Sequence, residues 1–181
     1  PLQIAGDEAE ALNLVHAATG HGGTGGNRPA RLAVLLSGCG RTLLNLMDQI
    51  SRGELSAQVA LVVASRDCRG AQLAAERGLR TRIIGGVIPR QTLGDMLRDA
   101  AVDWVVLAGY LNKVEIPAGF EQRVVNIHPA LLPAFGGAGM YGERVHRAVL
   151  GAGCKVSGCT VHLCDEHYDT GPILAQQTCE V

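Results

Sequence analysis

The segment most telling for the architecture reads Leu32-Ala33-Val34-Leu35-Leu36-Ser37-Gly38-Cys39-Gly40-Arg41-Thr42. Its first five residues form an unbroken apolar run, which is typical of a strand covered on both faces of a sheet. A glycine-rich turn follows, and Thr42 begins a helical pattern whose apolar residues fall on one stripe as far as Ile50. A buried strand that leads through a short turn into an amphipathic helix is the repeating unit of a parallel α/β sheet.

The same alternation continues along the chain. Further strands are predicted at Val59–Ala64, Thr81–Ile84, Trp104–Ala108, Arg123–Ile127, Ser157–Leu163 and Pro172–Thr178. Helices are predicted at Thr42–Ile50, Gly70–Arg77, Gln91–Ala100 and Glu143–Leu150. This order predicts an α/β fold with a Rossmann-like open, mostly parallel, twisted sheet and helices on both faces. The last two strands are expected to form a hairpin-like pair around the Asp165–Gly171 loop.

The amino-terminal end differs in composition from the rest of the chain. Pro1–Ala18 is acidic and weakly helical, and Thr19–Pro29 has the glycine content of a flexible linker. We therefore expect residues 1–29 to be an extension and residues 30–181 to be one folded domain.

Overall composition narrows the class of partner. The formal net charge is −1 and aromatic residues make up 3% of the chain, so neither a nucleic-acid surface nor binding to an anionic membrane is indicated. No apolar run is long enough to span a bilayer. The six cysteines contain no CxxC pair and lie in or beside apolar segments, which indicates reduced thiols. These features favour a cytoplasmic protein.

A second informative segment reads Val124-Val125-Asn126-Ile127-His128-Pro129-Ala130-Leu131-Leu132-Pro133. Positions two apart in a strand point to the same face, so Asn126 and His128 can project together at the carboxyl end of the strand, where open α/β sheets bind ligands. An amide donor beside an imidazole can hold an oxyanion. On this segment alone, a polar strand end that only satisfies loop backbone groups is an equal alternative.

The turn Ser37–Thr42 is a candidate anion site. Glycine lets a ligand approach the backbone, the start of a helix offers unpaired N–H groups, and Arg41 adds a cation. Thr42 is expected to cap the helix. The turn lacks the Gly-Lys-Ser/Thr ending of a Walker loop, and Leu43 stands where the dinucleotide fingerprint needs its third glycine. The segment favours an anion site at Gly40, Arg41 and Thr42 over a glycine-rich turn with no ligand.

A third polar segment lies between the last two predicted strands. Asp165 and Glu166 are expected to be solvated or to bind amides of their own turn. Asp169 precedes the returning strand, where a carboxylate could face His128, orient its ring or collect a proton. No Ser or Cys is evidently paired with a base. The three loops therefore favour direct attack of an amine on a carbonyl, with the oxyanion held by Asn126 and protonated His128.

The group Cys159, His162 and Cys164 raises the question of a metal site. An extended chain places His162 on the face opposite Cys159, so a zinc site is not expected. No metal is therefore predicted for this chain.

In their order and combination, these segments resemble the folate-dependent formyltransferases, in particular the members that act on glycinamide ribonucleotide. The likeness runs from about Arg31 to Val181. It rests on Leu35-Leu36-Ser37-Gly38-Cys39-Gly40, Val105-Val106-Leu107-Ala108-Gly109-Tyr110, Asn126-Ile127-His128-Pro129-Ala130-Leu131-Leu132-Pro133, His146-Arg147, Gly158-Cys159-Thr160-Val161-His162 and Asp169-Thr170-Gly171-Pro172-Ile173-Leu174.

The resemblance implies an enzyme of purine synthesis and one-carbon metabolism. Such an enzyme transfers the formyl group of its co-substrate, 10-formyltetrahydrofolate, to the amine of glycinamide ribonucleotide. The family's catalytic residues fall on Asn126, His128 and Asp169, and its phosphate loop falls on Gly40, Arg41 and Thr42. Its folate cleft falls on Leu111, Asn112, Lys113, Val114, Asp165, Glu166, His167 and Tyr168. The implied partners are two small-molecule substrates, and the chain is expected to be a monomer or a homodimer.

Three features differ from the family pattern. Arg41-Thr42 replaces the usual Ser-Asn after Gly40. The segment Ala134–Glu143 is longer and richer in glycine than its counterpart, which lies beside the substrate. Family members continue beyond the position of Val181 with a closing helix, so the domain is expected to be truncated at its C-terminus.

These differences leave the acceptor open. The alternatives are another phosphorylated amine or amino sugar, a charged tRNA, or water, which would make the chain a deformylase. The balanced charge argues against tRNA. Outside the enzymes, the alternative is a non-catalytic folate- or nucleotide-binding module, against which the presence of Asn126, His128 and Asp169 argues. A nicotinamide dehydrogenase is disfavoured because the fingerprint glycine is missing.

Overall fold

The computed structural model describes residues 28–181. The acidic extension and most of the predicted linker therefore lie outside the described residues. The strands in the described range are β1 (Ala30–Leu36), β2 (Ala57–Ala64), β3 (Thr81–Ile83), β4 (Trp104–Ala108), β5 (Val124–His128), β6 (Val156–Leu163) and β7 (Ile173–Glu180). The helices in the same range are α1 (Arg41–Ser51), α2 (Arg69–Glu76), α3 (Arg90–Asp99) and α4 (Glu143–Gly151).

These strands join in one open sheet with the order β3-β2-β1-β4-β5-β6-β7. Strands β1 to β5 pair in parallel, whereas β6 pairs antiparallel with both β5 and β7. The predicted mostly parallel α/β sheet and its hairpin-like end are thereby confirmed. Because β1 has β2 on one side and β4 on the other, chain order reverses there. Open sheets bind ligands in the crevice at such a point, outside the carboxyl ends of the strands.

The two faces of the sheet are covered by different helices. Val34 of β1 packs in a buried cluster with Leu43 of α1 and Ala71 of α2. The next residue, Leu35, points to the opposite face and packs in a second cluster with Leu97 of α3. Successive residues of a strand point to opposite faces, so a strand buried on both sides must be apolar throughout. This is the physical reason for the unbroken run in β1.

The observed ends of the elements differ from the predicted ones by no more than two residues. One local prediction was wrong, because Thr42 does not cap α1. The helix begins at Arg41, and Gly40 occupies the cap position with a φ of 80° and no side-chain cap. Glycine adopts this left-handed conformation without strain, so the turn enters the helix before Thr42 is reached. Thr42 is buried inside the first turn instead.

The loop after β5 is held by α4, which packs Val145 and Val149 against Ala130.

Two further observations concern membrane spans and cysteines. Within residues 28–181, no helix combines the length and the apolar content that a membrane crossing requires. All six cysteines lie in this range, and none of them forms a disulfide there.

Candidate active site

A cavity of about 1080 Å³ opens where β1, β4 and β5 end. Every residue predicted for the site lines its wall: Gly40, Arg41, Thr42, Leu111, Asn112, Lys113, Val114, Asn126, His128, Asp165, Glu166, His167, Tyr168 and Asp169. The anion loop, the end of β5 and the loop between β6 and β7, which are far apart in the sequence, thus share one cavity. Its volume is slightly above the usual range for small-molecule sites.

Of the three residues predicted to carry the chemistry, Asn126 and His128 both contact the third, Asp169. Asn126 Nδ2 donates a hydrogen bond to Asp169 Oδ1 at 3.3 Å, and His128 Nδ1 lies 3.5 Å from Asp169 Oδ2. Asn126 and His128 reach the carboxylate from the same side because they are two residues apart in β5. The loop between β6 and β7 therefore brings each oxygen of Asp169 to one of these two side chains.

The ring of His128 is only 2% exposed, and both of its nitrogens face oxygen atoms. Nε2 lies 2.9 Å from the carbonyl oxygen of Phe135, and Nδ1 faces Asp169. A ring that carries a proton on each nitrogen satisfies both acceptors. Because Nε2 is committed to Phe135, Nδ1 is the ring nitrogen that can turn its proton from Asp169 towards an oxyanion.

His162 is a fourth polar residue of this cluster, and the sequence analysis did not assign it to the site. Its Nδ1 lies 2.9 Å from the carbonyl oxygen of Leu163, which places the proton on Nδ1. Nε2 lies 3.1 Å from Asn126 Nδ2 and 3.5 Å from Asp169 Oδ1, so it accepts from the amide when the ring is neutral and donates to the carboxylate when the ring is protonated. His162 stands directly opposite Asn126 in the β5–β6 ladder. This contact follows from the register of β6 against β5, which the local sequence pattern does not set.

Asp169 is held in an unusual backbone conformation. Its φ is 57°, in the left-handed region that residues other than glycine seldom adopt. The backbone amide of Gly137 donates to Asp169 Oδ2 at 2.9 Å. Burial by itself would raise the pKa of Asp169. This pKa is nevertheless held below its ordinary value by contact with His162, by the Gly137 amide, and by the charges that His128 and His162 carry when protonated. The carboxylate is therefore ionised at neutral pH.

The anion loop lies at another side of the cavity. Ser37 fixes its base, because its Oγ accepts hydrogen bonds from Ser65 Oγ at 2.6 Å and from the Leu111 amide at 2.9 Å. No side chain caps α1, so backbone amides at its start remain available to a ligand. Arg41 is exposed, and its guanidinium makes no hydrogen bond or ion pair with any described residue. The loop has the features of an anion site, with glycine backbone, a helix start and an unpaired cation.

The wall implied for folate comes from two further segments. Asn112 donates to the carbonyl oxygen of Gly86 at 2.7 Å, so its amide is committed to the neighbouring loop. Asp165 accepts from the His167 amide at 2.8 Å and from Thr170 Oγ1, the turn role predicted for it. The two bonds of Asp165 shape the loop that carries Asp169.

Glu166 pairs with Arg90 at the start of α3, with 3.1 Å between Arg90 Nη2 and Glu166 Oε1. Both side chains are more than half exposed, and such pairs contribute little to stability.

Metal ligands and the thiol of Cys164 were the remaining candidates for chemistry in the cavity. No group of three or more His, Cys, Asp or Glu side chains there could hold a metal ion. Cys164 lines the cavity, where burial, followed by the charges of Asp169 and Asp165, raises the pKa of its thiol to about 12. A thiol protonated at neutral pH is a poor nucleophile, so Cys164 is not suited to covalent catalysis.

Comparison with known proteins finds several similar chains. The phosphoribosylglycinamide formyltransferase of Arabidopsis thaliana, a chloroplastic protein, is 43% identical over 165 residues, which are 85% of this chain and 56% of that protein. The corresponding enzyme of Mycobacterium tuberculosis is 40% identical over 157 residues, which are 82% of this chain and 70% of that protein. The crystal structure of glycinamide ribonucleotide transformylase 1 from Symbiobacterium toebii superimposes with a TM-score of 0.77 at 34% identity, covering 90% of this chain and 79% of that one.

This chain therefore spans little more than half the length of the plant relatives that it matches. The model of the formyl transferase family matches residues 30–181, which include every element of the sheet. On these findings, together with the cavity at the carboxyl ends of its strands, the chain belongs to the formyl transferase family.

Proposed function

We propose that this chain transfers the formyl group of 10-formyltetrahydrofolate to the amine of glycinamide ribonucleotide, a step of purine synthesis. One observation carries the proposal. Asn126, His128 and Asp169 meet in the same cavity as the Gly40–Thr42 loop. An oxyanion-holding pair, a carboxylate and an anion site are the groups that a phosphorylated amine and a formyl donor require. The names of the relatives support the same reaction.

The first step is direct attack of the acceptor amine on the formyl carbon. A new carbon–nitrogen bond forms, and the formyl oxygen becomes an oxyanion, which hydrogen-bond donors in a water-poor site stabilise. We assign this role to the Asn126 amide and to protonated His128. Before substrate binds, both hydrogens of Asn126 Nδ2 are directed at protein groups, His162 Nε2 at 3.1 Å and Asp169 Oδ1 at 3.3 Å. The oxyanion replaces the longer contact, so Asn126 donates to it without losing the bond that orients the amide.

The second step breaks the bond between the formyl carbon and the folate nitrogen. The attacking amine must lose a proton, and the leaving nitrogen must gain one. Asp169 is ionised and lies beside Asn126 and His128. In this proposal it takes the proton from the amine and makes it available to the folate nitrogen. Nucleophile, leaving group and proton are then balanced with no covalent intermediate on the protein.

The two substrates occupy different parts of the cavity in this proposal. The phosphate of the acceptor lies at Gly40, Arg41 and Thr42, where backbone amides and a guanidinium provide the charge. The reduced folate lies along two segments, Leu111–Val114 and Asp165–Tyr168. No metal takes part. We keep a cytoplasmic location and a monomeric or homodimeric state as predictions.

An acceptor comparison tests the proposal. The chain is supplied with 10-formyltetrahydrofolate and, in separate reactions, with glycinamide ribonucleotide, with its riboside lacking the phosphate, with an amino-sugar nucleotide, or with no amine. Release of the deformylated folate is followed by absorbance. We expect turnover with glycinamide ribonucleotide at the highest kcat/KM. Equal turnover without any amine would identify a deformylase instead and would overturn the assigned acceptor.

A further inference from the structure

Arg66 lines the cavity but takes no part in the reaction proposed above. It follows the carboxyl end of β2, beside the loop that leaves β1. Its Nε donates to the carbonyl oxygen of Ser37 at 2.9 Å, and its side chain lines the main cavity. Neither Nη group makes a hydrogen bond or an ion pair within the described residues. The guanidinium is therefore held by one edge at the base of the anion loop, and its remaining donors are free.

The charges around this loop are uncompensated. Arg41 is the first residue of α1 and Arg69 is the first residue of α2, and neither helix has an acidic residue in its first turn. Cations at the start of a helix are unfavourable, since the helix dipole is positive there. Arg69 is paired with Glu76 at 2.9 Å, but Arg41 and Arg66 have no acidic partner among the described residues. Two guanidiniums without counter-charge at one end of a cavity are suited to a bound anion.

We propose that Arg66 determines specificity for a phosphorylated acceptor, by binding the phosphate from the side opposite the start of α1. The inference rests on the proposed function and adds a residue to it. Arginine is suited to this role because its planar fork presents paired donors to phosphate oxygens. Its bond to Ser37 orients the fork in advance, so little side-chain freedom is lost when the phosphate arrives.

The test compares Arg66→Gln with Arg69→Gln. Arg69 is three residues further along, 55% exposed and outside the cavity, so its replacement is the matched control. For Arg66→Gln we expect KM for glycinamide ribonucleotide to rise about tenfold to a hundredfold, the usual effect of losing a hydrogen bond to a charged group. Three other quantities should stay as in the parent chain: the kcat, the KM for 10-formyltetrahydrofolate, and the kcat/KM for the unphosphorylated riboside. Arg66→Lys, which keeps the charge but not the fork, recovers part of the loss.

Inorganic phosphate provides a second readout that needs no turnover. Its dissociation constant, measured by calorimetry, should rise in Arg66→Gln and stay unchanged in Arg69→Gln. The parent chain could lack transferase activity while Arg66→Gln still weakens phosphate binding. That result would support the phosphate role of Arg66 and contradict the proposed reaction. If KM values for the ribonucleotide and the riboside rise together, Arg66 only supports the loop, and the inference is wrong. It is also wrong if Arg66→Gln leaves both the ribonucleotide KM and the phosphate affinity within twofold.

Discussion

Asp169 is the residue on which the other polar groups of the site converge. One of its carboxylate oxygens faces Asn126 and His162, and the other faces His128 and the Gly137 amide. Its side chain is 10% exposed, so these contacts operate where water screens them weakly. The left-handed backbone at this position is a strained arrangement for an aspartate, and such strain persists where the surrounding structure enforces it.

Replacement of Asp169 by Asn should separate chemistry from binding. The amide keeps the shape but cannot take a proton, so we expect kcat to fall by about 10²–10⁴-fold, with KM values within a few-fold of the parent. Steady-state kinetics with glycinamide ribonucleotide measure this. Asp48→Asn, an exposed aspartate of α1 paired with Arg52, is the control and should leave kcat unchanged.

The lowered pKa of Asp169 also makes a prediction about stability. The ordinary value is 3.8 and the folded value lies below it, so the ionised carboxylate stabilises the fold above pH 3.8. This contribution is lost as pH falls from 3.8 through the folded pKa. The difference in unfolding free energy between the parent chain and Asp169→Asn should therefore be present at pH 7 and pH 5 and shrink below pH 3.8. Urea unfolding at several pH values measures it, and a difference that does not change over this range would contradict the assigned contacts.

At the scale of elements, α1 and α2 meet through two glycines at the anion loop. The Gly70 amide donates to the carbonyl oxygen of Gly38 at 3.0 Å. A Cβ at Gly70 would lie 2.9 Å from that oxygen and 3.1 Å from Gly40 Cα, and a Cβ at Gly40 would lie 2.7 Å from Gly70 Cα. The start of α2 thus packs directly on the loop backbone, and any side chain at this contact must displace the loop.

We therefore expect Gly70→Ala to affect both stability and anion binding. Crowding of this kind destabilises by about 1–3 kcal/mol, and a displaced loop should bind inorganic phosphate more weakly. Urea unfolding and calorimetry measure the two effects. Gln72→Ala on the exposed face of α2 is the control. If Gly70→Ala matches this control in both measurements, the glycine contact does not position the loop.

The sequence predicted the elements well, because each one depends on local periodicity. The apolar run of β1 and the stripe of α1 were sufficient to predict their types, and Asn126 and His128 were correctly placed together because they share a strand. The helix start at Arg41 was missed because a left-handed Gly40 can replace a side-chain cap.

The contacts of His162 and Gly137 with the site could not be predicted in the same way. They depend on the register of β6 against β5 and on the path of a long loop, and neither is set by local pattern. Arg66 was missed for a similar reason, since its position beside Ser37 follows from the pairing of β1 with β2.

At the scale of the whole molecule, the site is built from both parts of the sheet. The parallel strands supply the anion loop and β5, and the antiparallel pair β6–β7 supplies His162 and the loop that carries Asp169. Thr160 of β6 links the two parts, because its Oγ1 donates to the carbonyl oxygen of Ala130 and accepts from the Leu132 amide. The site therefore depends on close packing of β6 and β7 against the loop after β5.

Gly158→Ala tests this dependence. A Cβ there would lie 1.9 Å from the carbonyl oxygen of Gln177 in β7, a distance that no adjustment of a side chain relieves. We expect a loss of at least about 2 kcal/mol in unfolding free energy, or failure to fold. Val156→Thr, at a position 53% exposed on the same strand, should stay within about 0.5 kcal/mol of the parent. Parent-like stability of Gly158→Ala would show that β7 does not pack as described.

In the proposed reaction, Asn126 and His128 hold the oxyanion of formyl transfer. The most direct measurement of this role is kcat for formyl transfer from 10-formyltetrahydrofolate to glycinamide ribonucleotide in Asn126→Ala and His128→Ala, with unfolding curves to show that both variants are folded. We expect a fall of at least about a hundredfold in each variant, the usual effect of removing one oxyanion donor. Turnover within tenfold of the parent chain in both variants would contradict it.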